Sequence, residues 1–265
     1  GEGLRPNIGI RGATSERSEK ITLLEDGVLA APAPYSNPAA YYFPTALRME
    51  RIEVIKGAPL LRYGPQTTGG VVNLLTPSLP LQNSHGAIEL ELDERGGTDF
   101  FGYYGEKTML DENNALLWQF ETAQRSSPGF KSIDSLDRTS NQTSTQDSGF
   151  QLTDYVLKLG WQGVRQSVTL KTQYSEETSN ETYLGLTDTD FNANPNRRYG
   201  LSNIDQMNNH HAGISLQHTI DWNYNWSQET QVYHQRFSRD WFKLAGGGDL
   251  IDAANQGDAN AQGIL

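Results

Sequence analysis

Arg197 and Arg198 stand side by side in a long polar stretch. Each guanidinium offers a planar fork of donors that grips a carboxylate bidentately. In a chain of net charge −11, an anionic ligand binds only where cations are gathered locally. Taken singly, either residue also reads as a solvated loop charge. Lys56 and Arg62 form a second cationic pair, inside IEVIKGAPLLRYGPQTTGGVVNLLTP (52–77). Gly57, Gly64, Gly69 and Gly70 in that run suit tight turns and close backbone approach. GPQTTGG is not a phosphate loop, because no Lys-Ser/Thr follows its last glycines.

Other chemistries find little support. Asp188-Thr189-Asp190-Phe191-Asn192 opens like a calcium loop, but the sixth position is Ala193 and the twelfth is Tyr199. His210 and His211 are adjacent, so on a strand they point to opposite faces and cannot chelate one ion together. The chain has no Cys, which excludes disulfides and thiolate metal sites. No GxSxG or HExxH occurs, and the carboxylates are too numerous to nominate a glycosidase pair. The expectation is a non-enzyme with no catalytic residue, metal or cofactor of its own. An acidic chain also repels nucleic acid.

The elements that must position these residues fall into two parts. Residues 1–80 read as a compact α+β unit. ITLLEDGVLA (21–30) predicts a hairpin turning on Asp26-Gly27, and RIEVIKG (51–57) and GVVNLLT (70–76) predict strands. A short helix is expected over 44–50, with Pro44 at its first position and Leu47 and Met49 as packing residues.

From residue 85 the pattern becomes strict alternation. Ile88, Leu90 and Leu92 oppose Glu89, Glu91 and Asp93; Leu116, Trp118 and Phe120 oppose Leu117, Gln119 and Glu121. Tyr155, Leu157, Leu159 and Trp161 oppose Asp154, Lys158 and Gly160, and similar runs at 164–175 and 210–222 bring the total to about seven strands. Short connections alternate with long polar ones over about 126–149 and 178–207 and from about 245. Tyr103, Tyr104, Trp118, Trp161, Trp222, Trp226 and Trp241 near strand ends suit an interfacial aromatic girdle. No run reaches the ~18 apolar residues of a membrane helix. Mean hydropathy is −0.61, which a transmembrane barrel tolerates because it shows lipid only alternate side chains. On pattern alone, barrel and soluble β-sandwich both remain open. A barrel enclosing the N-terminal unit takes about 22 strands, so that reading requires strands beyond this chain. Its ends, lying within strand and turn patterns, also read as those of a fragment.

NIGIRG (7–12), LLEDGV (23–28) and MERIEVIKGAPLLRYGPQTTGGVVNLLTP (49–77) closely resemble, in order and spacing, the plug of TonB-dependent outer-membrane receptors. The resemblance implies an α+β plug (1–80) followed by the first antiparallel strands of a transmembrane β-barrel (81–265), part of a 22-stranded plugged barrel in a Gram-negative outer membrane. APAPYSNPAAYYFP (31–44) and ETYLGLTDTDFNANPNRRYGLSNIDQM (181–207) resemble receptors of the ferric citrate type. The implied function is active import of a ferric chelate, most closely ferric citrate. The alternatives are another siderophore, a cobalamin or an oligosaccharide on the same fold, or a soluble β-rich binding module. Implied partners are the TonB–ExbB–ExbD complex, the chelate and outer-membrane lipid; iron enters only within the cargo. The resemblance places substrate contacts at Arg17, Tyr35, Asn37, Tyr41, Tyr42, Arg197 and Arg198. It also implies that Lys56 and Arg62 pair with acidic wall residues such as Glu89, Glu91, Asp93 or Glu121, or with carboxylates of barrel strands beyond this chain, although solvated charges remain the other reading for both.

Overall fold

Asp26 and Gly27 both take left-handed backbone angles, φ 48° and 78°, the combination a tight two-residue hairpin requires. They join β1 (Ile21–Glu25) to β2 (Val28–Leu29), as the Asp-Gly dipeptide predicts. With β3 (Arg51–Ile55) and β4 (Gly70–Leu75) these strands form a sheet ordered β2-β1-β4-β3, in which β1 and β4 run parallel. β1 is buried along its length, and Ile21, Leu23, Ala30, Val72 and Leu74 make the core, covered by Ile8, Ile10, Phe43 and Met49. A Cβ on Gly70 would sit 2.9 Å from Ile10 Cδ1 and 3.3 Å from the Ile55 carbonyl oxygen, so that close approach requires glycine. The computed structural model describes residues 4, 6–12, 18, 20–30, 42–63, 67–135, 147–180 and 182–265.

The helix expected over 44–50 contracts to a single 3-10 turn, Ala46–Arg48. The sheet captures the chain at once: the Glu50 N–H bonds the Leu75 carbonyl at 2.8 Å, which leaves no room for a second helical turn. Met49 does pack on the core.

The rest of the chain builds one antiparallel wall of seven long strands. These are β5 (Ser84–Leu92), β6 (Thr98–Met109), β7 (Ala115–Ser127), β9 (Phe150–Gln162), β10 (Gln166–Ser179), β12 (Gln206–Asn223) and β13 (Trp226–Phe242), each beside its successor in this series. Two very short strands, β8 (Ser132–Ile133) and β11 (Arg197–Arg198), pair in parallel and clip two long loops together. The expected long segment from about 245 holds two short helices, α2 (Gly247–Asn255) and α3 (Ala259–Ile264); α1 (Asp188–Ala193) lies in the preceding long loop. Asp258 starts α3 by accepting the Ala261 N–H at 2.8 Å, a local cap that overrides the glycine-rich composition.

The wall is inverted relative to a soluble sheet. Leu116, Trp118, Phe120, Tyr155, Leu157, Leu159, Ile214 and Leu216 are exposed, whereas Gln119, Glu121, Asp154, Lys158, Lys171 and His211 are buried. The polar face receives the N-terminal unit and the apolar face points away from it. A sandwich would turn its apolar faces inward. Two aromatic assignments need correction. Tyr103 pairs opposite Glu121 and Trp241 opposite Met207, both on the inner face, because strand parity and not nearness to an end sets direction.

Candidate functional site

A buried ionic seam joins the N-terminal unit to the wall. Arg48 closes the 3-10 turn and is 1 % exposed. Its Nη1 and Nη2 donate to the two Glu25 carboxylate oxygens at 2.7 and 3.0 Å, and its Nε donates to Asp154 Oδ2 on β9 at 2.8 Å. Lys171 on β10 reaches back across the seam, placing Nζ 2.6 Å from both Glu25 Oε1 and Asp26 Oδ2. Lys158 donates to Glu121 at 2.7 Å, to Thr76 Oγ1 at 2.6 Å and to the Pro77 carbonyl. Gln119 donates to that same carbonyl at 2.9 Å. Tyr42 stacks on His211 of β12, ring centroids 3.9 Å apart and planes within 15°. Three cations thus meet four carboxylates (Glu25, Asp26, Asp154, Glu121).

Burial pushes the Glu25 carboxyl up, but Arg48 and Lys171 together outweigh it and hold it well below the usual carboxylate range. Asp26 behaves likewise, with burial opposed by Lys171 and Lys158. Burial works against the Arg48 charge, yet Glu25 and Asp154 raise its pKa well above the normal value. Because the folded Glu25 is depressed, its stabilisation is complete above its unfolded value of about 4.3 and is lost as pH falls through the lower folded value. Protease protection of β1 and β4 should therefore stay constant from about pH 7 to about pH 5 and fall only in more strongly acid solution. Loss of protection already near pH 6 would contradict this assignment. Beside the seam a crevice of about 590 Å³ is lined by Asp26, Thr76, Lys158, Lys171, Ser215 and Gln217.

At the long-loop end the two arginines behave differently. Arg197 donates through Nε to Asp134 at 2.8 Å and through Nη1 to Asp190 at 2.9 Å, and lies 5.2 Å over the Tyr199 ring. Tyr199, 1 % exposed, donates its hydroxyl to Asp190 at 2.6 Å. That hydrogen bond is the main cause of the lowered Asp190 pKa; burial opposes it, and Thr187 and Arg197 reinforce it. Arg197 is therefore already neutralised twice and acts as a loop staple. Arg198 donates only to the Pro195 and Arg197 carbonyls, at 3.0 and 2.5 Å, and meets no carboxylate among the described residues. Its burial without a counter-ion lowers its pKa. Asp188–Ala193 is a helix capped by Thr187, not a calcium loop, and the described residues contain no group of three potential metal ligands.

Residues 1–71 match the family model of the TonB-dependent receptor plug domain. The chain carries a TonB-dependent receptor plug. The seven-stranded wall adds the fold of these receptors' barrels. Over 92 % of its length the chain is similar to the unliganded ferric citrate transporter FecA, with a TM-score of 0.68 and 19 % identity, covering 35 % of that chain. It is also similar to the siderophore receptor PirA of Pseudomonas aeruginosa (TM-score 0.54, 17 % identity, 91 % of this chain and 37 % of that one). The enterobactin-bound ferric enterobactin receptor PfeA of the same organism, a mutant, matches with TM-score 0.53 and 20 % identity over 90 % of this chain and 36 % of that one. The chain thus spans little more than a third of these receptors, and at such identities the likeness is one of fold.

The plug frame shows which sequence assignments meet. Arg17, Tyr35, Asn37 and Tyr41 lie outside the described residues. Tyr42, expected at a substrate surface, lies in the seam instead: it is 4 % exposed and stacked on His211. Lys56 and Arg62 are exposed, and neither pairs with an acid among the described residues. Glu89 and Glu91 sit on the wall's inner parity but on its edge strand, solvent-exposed and away from the plug. Among the described residues the seam ion pairs are made by Arg48, Lys158, Lys171, Glu25, Asp26, Asp154 and Glu121, the last of which was among the acids nominated. Lys158 and Lys171 were visible as cations on the polar parity of their strands. Arg48 gave no signal beyond its place beside Leu47 and Met49.

Proposed function

We propose that this chain is part of an outer-membrane TonB-dependent receptor that imports a ferric chelate, with ferric citrate as cargo. One observation carries the transport reading: a plug is seated by buried ion pairs in the polar concavity of a wall whose other face is apolar. Such a wall suits lipid outside and water inside. On this reading residues 1–80 are plug and 81–265 barrel, and the TonB–ExbB–ExbD complex supplies the work that shifts the plug. The protein is a transporter and not an enzyme, and iron arrives only within the chelate.

The cargo assignment is supported by the resemblance of 31–44 and 181–207 to the ferric citrate type and by Arg198, a half-buried guanidinium with no carboxylate partner among the described residues. Calorimetry on the full-length receptor in detergent tests it, with ferric citrate beside a hydroxamate siderophore, cobalamin and a maltooligosaccharide. Ferric citrate alone should bind, and Arg198→Ala should weaken it at least about tenfold. Arg197→Ala should act differently, lowering the melting temperature through the loss of its two carboxylate contacts. A clear isotherm with another ligand and none with ferric citrate would discard the cargo.

A further inference from the structure

Asp205 immediately precedes β12 and is 1 % exposed. Its Oδ1 accepts the Leu244 N–H at 3.1 Å and its Oδ2 accepts the Tyr183 N–H at 3.3 Å. One buried carboxylate thereby ties the loop after β10 to the chain leaving β13. The consequence is local: Lys243 is brought between two rings, its Nζ 3.6 Å from the Tyr183 centroid and 3.9 Å from the Trp241 centroid. The rings meet edge to face, 5.7 Å apart at 86°. Cation–π contact holds an ammonium in place without neutralising it.

The direction of this group follows from strand parity. Gln231 donates to the Asp26 carbonyl at 3.4 Å, and Phe237 lies 6.4 Å from Tyr42, so odd positions of β13 face the plug. Trp241 has the same parity, and no register shift separates it from Phe237. Arg239, also of this parity, places its guanidinium 5.7 Å from the Trp241 ring centroid. The cluster therefore stands at the inner, long-loop end of the wall, above the plug. Lys243 forms no ion pair among the described residues; Asp205 is near enough to feel its charge, but both carboxylate oxygens already accept backbone N–H groups.

We propose that Lys243, clamped between Tyr183 and Trp241, is an anion-receiving subsite that takes a carboxylate oxygen of the incoming chelate. The ammonium supplies the charge and its remaining N–H donors; the rings fix its position and exclude water from two sides, which strengthens the contact. Asp205 is the positioning residue, since it sets the distance between Tyr183 and Lys243. The proposal rests on the receptor reading above, and it adds a second cation to the ligand surface at the long-loop end.

The test uses the full-length receptor in detergent, titrated calorimetrically with ferric citrate and with a neutral hydroxamate chelate at low and high salt, as wild type, Lys243→Gln and Lys243→Arg. Melting temperatures and near-ultraviolet dichroism report folding. Lys243→Gln should weaken ferric citrate at least about tenfold with unchanged melting, and Lys243→Arg should restore most of the affinity. The salt dependence of binding should be shallower in Lys243→Gln. Equal affinity in wild type and Lys243→Gln would overturn the subsite and leave the cargo standing. If the wild type binds a different anionic ferric chelate, the same ratio of affinities decides the subsite although the cargo has failed. A wild type that binds only the neutral chelate would overturn both.

Discussion

Arg48→Ala should loosen the plug by about 3–5 kcal/mol, the cost of removing one partner from a buried ionic cluster. The guanidinium joins Glu25 and Asp154, each 2 % exposed or less; its loss strands the buried Asp154 carboxylate and leaves Glu25 with Lys171 alone. Asp154 Oδ1 lacks a hydrogen-bond partner among the described residues, so none of these holds an alternative donor in reserve. Hydrogen exchange of β1 and β4 amides should accelerate accordingly, because Glu25 is the last residue of β1 and lies at the end of its parallel ladder with β4. Arg48→Lys should recover part of the protection but not the bidentate contact. Exchange rates equal to wild type in Arg48→Ala would show that the seam does not hold the plug.

Lys171→Met should separate docking from plug folding. It removes the wall's cation from Glu25 and Asp26 but leaves the Arg48–Glu25 pair inside the plug intact. The expected loss is about 1.5–3 kcal/mol, that of charge-assisted hydrogen bonds, and the methionine retains the aliphatic stem. The chain contains no cysteine, so a single Val28→Cys change supplies a clean reporter. Val28 is 6 % exposed and lines a small gap together with Glu25 and Lys171. Thiol labelling at this position should quicken by at least about tenfold in the Lys171→Met background, while the melting of the plug core stays close to that of the parent. Unchanged labelling would mean that the contact seen at 2.6 Å adds nothing to docking.

The two substitutions bear on how a plug can be both secure and displaceable. The seam concentrates its strongest contacts in a few side chains, and on the proposed transport reading the crevice beside Lys158 and Lys171 places solvent near the pairs that would part. Water entering there would lower the cost of separating charges, because a desolvated pair loses its advantage once its ions are hydrated. The outer loops use a different device. Arg197, Asp190 and Tyr199 lock together internally, whereas Arg198 and Lys243 have no carboxylate partner among the described residues.

Alternation by itself determined which side chains share a wall face. Leu116, Trp118 and Phe120 point outward and Gln119 and Glu121 inward as their order dictates, because a strand's pleat has period two regardless of its surroundings. Asp26-Gly27 determined the first hairpin, because the turn needs two left-handed residues and this dipeptide supplies them. The ordered plug motifs likewise identified the N-terminal unit. Which charges meet was decided only by the tertiary structure. Arg48 finds partners 23 and 106 positions away, and Lys171 reaches back 146 positions to Glu25. Lys56 and Arg62 were nominated for this role by the resemblance to a plug lying in a polar lumen, which implies cations facing the wall but not which of them a given acid meets. Tyr42 was placed at a substrate surface by the resemblance, whereas in the structure it stacks on His211. Backbone geometry acts over a few residues and leaves a periodic trace in the sequence, whereas ion pairing and burial depend on how distant segments are brought together.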